Sequence, residues 1–254
     1  EYEFKSIKND DDLYNYVVSK TDNKQKNYIL VDEIQEIEKF EIALRQLLIK
    51  DYDIYCTGSN ASMLSSDLAT FLSGRYIEIP VNSLSYEEFI YFHNLENNSD
   101  TLIKYIKFGG LPYLVNLEFD DEIVYDYLKN IYNTIILKDV VLRFNIRDVD
   151  FLDRLTEYVS DNLGSYISAK KITEFLKSQK ISMSINTVQN YLKYLSNAFF
   201  IDKVQRYDIQ GKRIFEINDK YYFRDLGLKH SKIPYKPNDI NKIIENLVYN
   251  HLIY

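Results

Sequence analysis

The chain has 254 residues, of which 46% are hydrophobic and 27% charged, a composition that excludes a disordered chain and favours a globular protein of two domains. The single cysteine, Cys56, excludes an intrachain disulfide, and no apolar run reaches the roughly 18 residues of a membrane helix, so we expect a cytoplasmic protein. The three histidines are scattered and form no metal-ligand cluster, and we expect His230 to be a surface residue.

A short helix is the first predicted element. Asn9 and the three aspartates after it form an acidic turn that can cap a helix carrying Leu13 and Val17. The apolar runs 28–31 and 54–56 then predict two parallel strands, because the segment between them has the spacing of an amphipathic helix. The apolar face of that helix is made of Ile37, Phe40, Leu44, Leu47 and Leu48. Strand, helix and strand in this order are typical of a parallel α/β sheet.

Polar residues follow both strands at their carboxyl ends, where ligands of parallel sheets bind. The first strand ends in Asp32-Glu33, and the second is followed by a polar tip that contains Ser59-Asn60. Asp32 can hold Mg²⁺ through water, and Glu33 can orient or deprotonate an attacking water. Ser59 or Asn60 can sense a γ-phosphate. The alternative is that Asp32 only caps a helix beginning near Glu33.

An arginine stands before the next predicted strand. Leu72-Ser73-Gly74-Arg75 precedes an alternating segment, Tyr76 to Val81, that predicts a third strand. An arginine at such a loop can reach a γ-phosphate across a subunit interface as an arginine finger, which implies a homo-oligomer. A structural salt bridge of Arg75 is the alternative, and the residues leave both open.

The segment from Ser85 to Asn145 has a helical pattern. One helix begins near Glu87, a second covers residues 101–108 and ends at Gly109-Gly110, and a third covers residues 123–144. We interpret this segment as a lid-like helical region.

Residues 148–225 predict three helices followed by two strands, which is the element order of a winged helix. The helices are expected at 150–162, at 169–178 with Ser168 as N-cap, and after Ser184 as N-cap, and the strands at 199–207 and 213–217. Two prolines, Pro234 and Pro237, then mark a linker before an amphipathic helix at 240–254.

The outward side of the third of these helices carries side chains that suit base edges and phosphates in a major groove. They are Asn186, Thr187, Gln189, Asn190 and Lys193, and the turn between the two strands adds Lys212 and Arg213. From Ser168 to Arg213 there are nine basic and three acidic residues, a net charge of +6 in a chain of −7. A basic island of this kind is typical of a site for double-stranded DNA, and a docking surface for a protein is the alternative.

The motifs resemble those of the prokaryotic AAA+-type ATPases that carry a C-terminal domain of unknown function. The resemblance rests on stretches in a fixed order: ILVDEIQ, IYCTGSNASMLSSDLATFLSGRYIEIPVNSLSYEEF, FGGLPYLV, IYNTIILKDVVLRFNIRDVDFLDRL, SINTVQNYLKYLSNAFFIDKVQRYDIQGKR, NDKYYFRDLGLKH and IIENLVYNHLI. It implies an ATP-binding core that uses Mg²⁺, a helical lid, a winged helix and a nuclease-like C-terminal domain.

Two features depart from that family. The sequence contains no Gly-x-x-x-x-Gly-Lys-Ser/Thr, the loop that cradles phosphates, and it stops at Tyr254, where the C-terminal domain would be starting. We interpret the chain as a piece of a longer protein, and whether it is itself an enzyme stays open. Its parts would be a partial P-loop-type α/β core (1–83), a helical lid region (84–147), a winged helix (148–225), and a linker with the first helix of a truncated C-terminal domain (226–254).

The leading hypothesis is a fragment of an AAA+-type ATPase whose winged helix binds DNA. Glu33 and Arg75 are its candidate catalytic residues, and Asp32, Ser59 and Asn60 are its candidate ligands of Mg-ATP, which this chain alone is not expected to bind tightly. One alternative is a non-enzymatic DNA-binding module that resembles a transcription regulator. Another is a subunit of a nuclease whose catalytic residues lie beyond the last residue of the chain.

Overall fold

The computed structural model of the protein describes residues 4, 6–22, 25–61, 72, 74–205 and 219–253. The chain divides into two compact units, Glu1–Pro80 and Val81–Tyr254. Helices and strands are mixed, and the fold is α/β with a small parallel sheet, as predicted. In the described ranges every helix is too short or too polar to cross a membrane.

The first unit is built on two parallel strands. Its elements are α1 (Asp10–Lys20), β1 (Tyr28–Val31), a 3-10 turn (Ile34–Glu36), α2 (Phe40–Ile49) and β2 (Asp53–Cys56). β1 and β2 run parallel with Val31 opposite Cys56, which confirms the predicted order of strand, helix and strand. Asn9 caps α1 by accepting a hydrogen bond from the Asp12 N–H at 3.0 Å, as the acidic turn predicted.

One face of this two-stranded sheet packs on the core, and the other face is bare. Ile29, Val31 and Ile54 pack against the buried residues of α1 and α2. Side chains alternate between the faces of a strand, so the residues between them point away from the core. These exposed side chains are Tyr28, Leu30 and Tyr55. Parallel sheets are ordinarily covered on both faces, and in the described part of the chain β2 pairs with β1 alone.

The predicted third strand at Tyr76 to Val81 is wrong. The structure gives these residues irregular backbone, and the apolar side chains of the alternating pattern are almost fully exposed, with Ile77 at 90% and Val81 at 88%. Alternation marks residues that are able to form a strand, but a strand exists only where a neighbour supplies the ladder of backbone hydrogen bonds. No described strand lies beside this segment.

The first half of the second unit is helical, as predicted. It contains α3 (Tyr86–His93), α4 (Ser99–Phe108), α5 (Asp121–Thr134) and a π-helix (Ile135–Leu142) that continues α5. α4 ends at Gly109, whose φ of 77° lies in the left-handed region that favours glycine. The change from α-helix to π-helix at Ile135 was not predicted, because the apolar spacing continues through it.

The second half of this unit contains three helices, a strand pair and two further helices. They are α6 (Val149–Asp161), α7 (Ala169–Ser178), α8 (Ile185–Asn197), β3 (Ile201–Val204), β4 (Lys220–Phe223), α9 (Leu226–Lys232) and α10 (Ile240–Leu252). Ser168 and Ser184 cap α7 and α8 by accepting hydrogen bonds from the N–H groups of Lys171 and Thr187, which confirms both predicted caps. β3 and β4 pair antiparallel. The strand predicted at 213–217 lies outside the described residues.

Two glycine motifs far apart in the sequence interlock at the start of α9. Asp225 is buried, and its two carboxylate oxygens accept hydrogen bonds from the Gly110 N–H at 2.8 Å and the Leu228 N–H at 3.0 Å. A Cβ on Gly109 would lie 2.2 Å from Asp225 Oδ1, and a Cβ on Gly227 would lie 2.0 Å from a carbonyl oxygen at the end of α4. The Phe-Gly-Gly and Asp-Leu-Gly sequences are therefore required together for one close contact.

We expect Asp225→Asn to lower the free energy of unfolding by about 2 kcal/mol. Both oxygens of Asp225 accept from backbone N–H groups, so in asparagine one of them becomes an NH₂ group facing a donor, which leaves buried N–H groups unpaired. Urea unfolding followed by circular dichroism measures the loss. Asp126→Asn, at an exposed aspartate of α5, is the matched control. Equal unfolding midpoints for the two variants would contradict the expectation.

His230 is buried, so its interpretation as a surface residue is wrong. The side chain is 2% exposed, and its Nδ1–H donates a hydrogen bond to the Lys107 carbonyl oxygen at 3.0 Å. Burial, helped by the neighbouring Lys229, lowers the pKa of the imidazole to about 3. The local sequence gave no sign of this, because the burial comes from the packing of α9 against α4 and α5.

We expect the neutral, buried His230 to make the fold sensitive to acid. Its folded pKa lies below the unfolded value, so its contribution is complete above about pH 6.5 and is lost as pH falls toward about 3, at up to about 1.4 kcal/mol per pH unit. The free energy of unfolding, measured at about pH 7 and about pH 5, should therefore fall less in His230→Asn than in the wild type. Asparagine retains a donor for the Lys107 carbonyl. His251→Asn, at an exposed histidine, is the control, and equal pH slopes for wild type and His230→Asn would contradict the expectation.

Two side-chain amides of α10 form hydrogen bonds with backbone groups at the edge of β4. Asn246 is fully buried, accepts a hydrogen bond from the Phe223 N–H at 2.7 Å and donates one to the Phe223 carbonyl at 2.8 Å. Asn250 donates to the Arg224 carbonyl at 3.1 Å. These bonds satisfy backbone groups that an edge strand otherwise leaves unpaired, so α10 is part of the fold of the second unit.

Candidate functional site

The carboxyl ends of β1 and β2 bring acidic and hydroxyl residues together. Because Val31 lies opposite Cys56, the next residues, Asp32 and Thr57, leave the sheet side by side. The backbone ladder continues past the strands, since the Thr57 N–H donates to the Val31 carbonyl at 2.9 Å and the Ile34 N–H donates to the Thr57 carbonyl at 3.1 Å. These bonds fix the spacing between the two loops.

The Thr57 hydroxyl links the two acids. It donates a hydrogen bond to Asp32 Oδ1 and accepts one from the Glu33 N–H at 3.1 Å. Asp32 caps no helix, because the 3-10 turn begins at Ile34 without a side-chain cap and α2 begins at Phe40. The capping alternative is therefore wrong, and the Asp32 carboxylate lies exposed at the sheet edge.

The Glu33 carboxylate is held by two donors. Gln35 Nε2 donates to Glu33 Oε2, and Ser59 Oγ donates to the same oxygen at 3.3 Å. Gln35 Nε2 also donates to Ser59 Oγ at 3.3 Å, so the three side chains form a closed ring of hydrogen bonds, which we call the Glu33 ring. The ring brings together two of the predicted site residues, Glu33 and Ser59.

Asn60 and Arg75 lie outside the Glu33 ring. Asn60 follows Ser59 and is 1% exposed, so its side chain is part of the interior of the first unit. Arg75 is exposed, and its backbone N–H donates to the Leu72 carbonyl at 3.0 Å. None of the carboxylates that the structure describes forms an ion pair with Arg75.

The donor set suits a Mg²⁺ ion held largely by water and phosphate. The described residues contain no group of three or more His, Cys, Asp or Glu that could hold a metal ion. Mg²⁺ needs no such group, because it keeps several waters and binds through one or two carboxylates together with substrate phosphates. Asp32 supplies one exposed carboxylate, and Glu33 stands beside it with its backbone fixed by Thr57.

Sequence reasoning missed Thr57 and Gln35. Thr57 comes one residue after β2, as Asp32 comes one residue after β1, so the register of two parallel strands would have placed them side by side. Gln35 reaches Glu33 through a turn in which Glu33 has a left-handed φ of 52°. The sequence carries no signal for that turn, because glutamate rarely adopts this conformation.

The α8 helix has one buried and one exposed face. Val188 and Leu192 are buried, and four of the predicted DNA-contact residues are exposed. The four, which we call the α8 polar row, are Asn186, Gln189, Asn190 and Lys193. Thr187 is half-buried, and its hydroxyl shares a hydrogen bond of 2.8 Å with Ser184 Oγ, so Thr187 belongs to the cap of the helix.

Exposed lysines lie on α7 and the turn after it. None of them forms an ion pair with a carboxylate that the structure describes. They are Lys170, Lys171, Lys177 and Lys180. Lys203, in contrast, pairs with Asp219 at 2.9 Å. Lys212 and Arg213 lie outside the described residues.

Comparison with known families divides the chain in two. Residues 1–90 match the family described as an AAA domain, and residues 99–239 match the family described as Domain of unknown function (DUF8612). The second match covers more than half of the chain. The chain belongs to the DUF8612 family. The N-terminal match to an AAA domain includes the residues of the Glu33 ring, and AAA domains generally bind ATP and Mg²⁺.

Two uncharacterized proteins are similar to this DUF8612 chain over most of its length. One, from Haemophilus influenzae, is 34% identical over 258 residues, which cover 99% of this chain and 64% of that protein. The other, MJ1544 from Methanocaldococcus jannaschii, is 30% identical over 240 residues, which cover 90% of this chain and 53% of that protein. The chain therefore spans less than two thirds of the length of either relative.

Proposed function

We propose that the first unit supplies the acidic and phosphate-sensing strands of an ATP-hydrolysing AAA-type protein. Asp32 holds Mg²⁺ through water, and Glu33 activates the attacking water. Of the two candidate sensors of the γ-phosphate, Ser59 takes this role because Asn60 is buried, and Arg75 reaches the nucleotide of a neighbouring subunit. The observation that carries this proposal is the Glu33 ring at the carboxyl ends of two parallel strands.

The geometry supports the roles of Asp32, Glu33 and Arg75. The carboxyl edge of a parallel sheet is where α/β proteins bind ligands. Through its hydroxyl Thr57 holds Asp32 and the backbone of Glu33 in a fixed relation, which a metal ligand and a water-activating base require. Arg75 is exposed and unpaired with any described carboxylate, so its guanidinium is available to a second copy of the chain.

Phosphate binding needs an element that the 254 residues do not contain, the Gly-x-x-x-x-Gly-Lys-Ser/Thr loop. The deciding experiment therefore joins the chain behind a segment of strand, phosphate loop and helix from an AAA-type ATPase, which we call the loop-completed form. Hydrolysis of Mg-ATP that is lost in Glu33→Gln supports the proposal. Hydrolysis that is unchanged in Glu33→Gln contradicts it.

We also propose that residues 148–225 form a winged helix that binds double-stranded DNA. The specific observation is the exposed α8 polar row, because Asn and Gln suit adenine edges and Lys suits guanine or phosphate. Three helices followed by an antiparallel strand pair support this fold, as does the bridge between Ile167 and Asp219 that adds the segment before α7 to the strand pair. Salt-dependent binding of a DNA duplex, measured by fluorescence anisotropy on the whole chain, tests it.

A further inference from the structure

Three of the four side chains in the α8 polar row are amides. They belong to Asn186, Gln189 and Asn190, and within the part of the chain that the structure describes none of the three side chains forms a hydrogen bond. Each amide has an oxygen that accepts and an N–H that donates. In the major groove adenine presents a donor at N6 beside an acceptor at N7, whereas guanine presents two acceptors. Among the purines, only adenine can therefore pair with both groups of an amide.

An exposed isoleucine lies beside these amides. Ile185 is 43% exposed and stands one helical turn before Gln189, on the same side of α8. A single exposed apolar side chain is ordinary on a protein surface. In the major groove, however, each adenine lies beside one apolar group, the C5-methyl of the thymine that pairs with it, and apolar side chains contact that methyl. Ile185 and the amides together therefore match both bases of an A·T pair.

Building on the proposed winged helix, we propose that α8 binds A·T pairs of double-stranded DNA whose adenines are unmethylated at N6. The amides pair with N6–H and N7 of adenine, and Ile185 contacts the thymine methyl. One N6 hydrogen of adenine is used by the base pair, so a methyl group on N6 replaces the hydrogen that faces the major groove. The methyl group removes the donor that the amide oxygen needs and fills the space in front of it. Methylation of adenine therefore weakens the binding of this chain to DNA.

Three duplexes of one sequence, built from A·T pairs only, test this proposal with the whole chain. The first has ordinary bases, the second has N6-methyladenine for every adenine, and the third has uracil for every thymine, so all three carry the same phosphates. We expect methylation to weaken binding about 5- to 140-fold, which corresponds to the loss of one bidentate contact of about 1–3 kcal/mol. Uracil should weaken binding about fourfold, as for the loss of one buried methyl group. Fluorescence anisotropy at one low salt concentration, at a temperature at which all three stay double-stranded, measures the affinities.

Two substitutions in α8 assign the contacts. Asn190→Ala should reduce the effect of adenine methylation and keep the effect of uracil, and Ile185→Ala should do the reverse. Asn130→Ala, at an exposed amide of α5, should keep both effects as in the wild type.

The outcomes separate this inference from the proposed function. Salt-dependent binding with equal affinities for all three duplexes would overturn the inference and leave DNA binding by the winged helix standing. Effects of methylation and uracil that persist unchanged in both α8 variants would also overturn it, because the bases would then be contacted elsewhere on the chain. If none of the three duplexes binds at low salt, the proposed DNA-binding function fails, and the inference fails with it.

Discussion

Mixed with Mg-ATP, the 254-residue chain is expected to release no phosphate above the rate of the buffer. In P-loop ATPases the backbone N–H groups and the lysine of the phosphate loop hold the β- and γ-phosphates, and this sequence contains no such loop. Asp32 and Glu33 then have no fixed phosphate on which to act. A colorimetric assay of released phosphate measures the rate. Turnover by the chain that disappears in Glu33→Gln would contradict this expectation, because it would show a complete active site.

In the loop-completed form, Glu33→Gln is expected to lower kcat by about 10²–10⁴ while ATP still binds. Glutamine keeps the shape of glutamate and can still accept a hydrogen bond from Ser59, but it cannot take a proton from water. Single-turnover hydrolysis measures the chemical step, and a fluorescent ATP analogue measures binding.

Glu38→Gln is the matched control for that substitution. Glu38 is exposed, and its replacement changes the charge of the first unit by the same amount as the replacement of Glu33. We expect its kcat to stay within about twofold of the wild type, as for surface charges outside a catalytic site. If Glu33→Gln loses ATP binding as strongly as it loses hydrolysis, Glu33 acts in binding the nucleotide and not in activating water.

The affinity of the chain for a DNA duplex is expected to fall about 10³-fold or more between about 50 and 200 mM salt. Each phosphate neutralised by a lysine or arginine releases counterions, so the logarithm of the affinity falls linearly with the logarithm of the salt concentration. The exposed lysines of α7 and Lys193 of α8 supply this charge in the described residues. Lys212 and Arg213 add to it in the sequence.

Two kinds of substitution distinguish the electrostatic attraction between the protein and DNA phosphates from the recognition of bases. Lys212→Ala and Arg213→Ala should each weaken binding to all sequences alike and lower the salt slope by about one. Asn190→Ala should instead cost about 1–3 kcal/mol on a preferred site and little elsewhere, because it removes contacts to a base edge. Fluorescence anisotropy at two salt concentrations measures both effects.

Residues outside the proposed interface provide the controls for DNA binding. Lys129→Ala removes an exposed lysine of α5, and Asn130→Ala removes an exposed amide of the same helix. Neither should change the salt slope or the preference for a site. A chain without any salt-dependent affinity for DNA would assign the basic face to a protein partner.

Elements with local signals were predicted from the sequence. The caps at Ser168 and Ser184 need only an N–H three residues ahead, and both form in the structure. The parallel pair β1 and β2 needs two apolar runs and a helix between them, which the sequence shows without reference to distant residues. The same order of strand, helix and strand places Asp32, Glu33 and Ser59 at one edge of the sheet.

Features that depend on distant residues were not predicted. The alternating run at Tyr76 to Val81 has no strand beside it in the described part of the chain, and its own sequence could not show this. His230 is buried by helices that lie far from it in sequence. The glycines after α4 were read as a helix end, and their close contact with Asp225 became visible only in three dimensions. In the candidate site, the link through Gln35 depends on a left-handed turn at Glu33.

The bare face of the β1–β2 sheet bears on the colloidal behaviour of the chain. Leu30 and Tyr55 offer apolar surface, and among the residues that the structure describes no strand pairs with the outer edge of β2, so its backbone groups can meet a second chain in solution. Contacts between different surfaces, such as the edge of one chain and the apolar face of the next, do not close, so clusters can grow until they scatter light, and kosmotropic salts such as sulfate promote this growth. Lys26 and Asp53 pair at 2.8 Å where the two strands begin, with Lys26 over the ring of Tyr28, and these charged side chains oppose the growth. Replacing both charged side chains with neutral ones lowers the protein concentration at which the solution turns turbid.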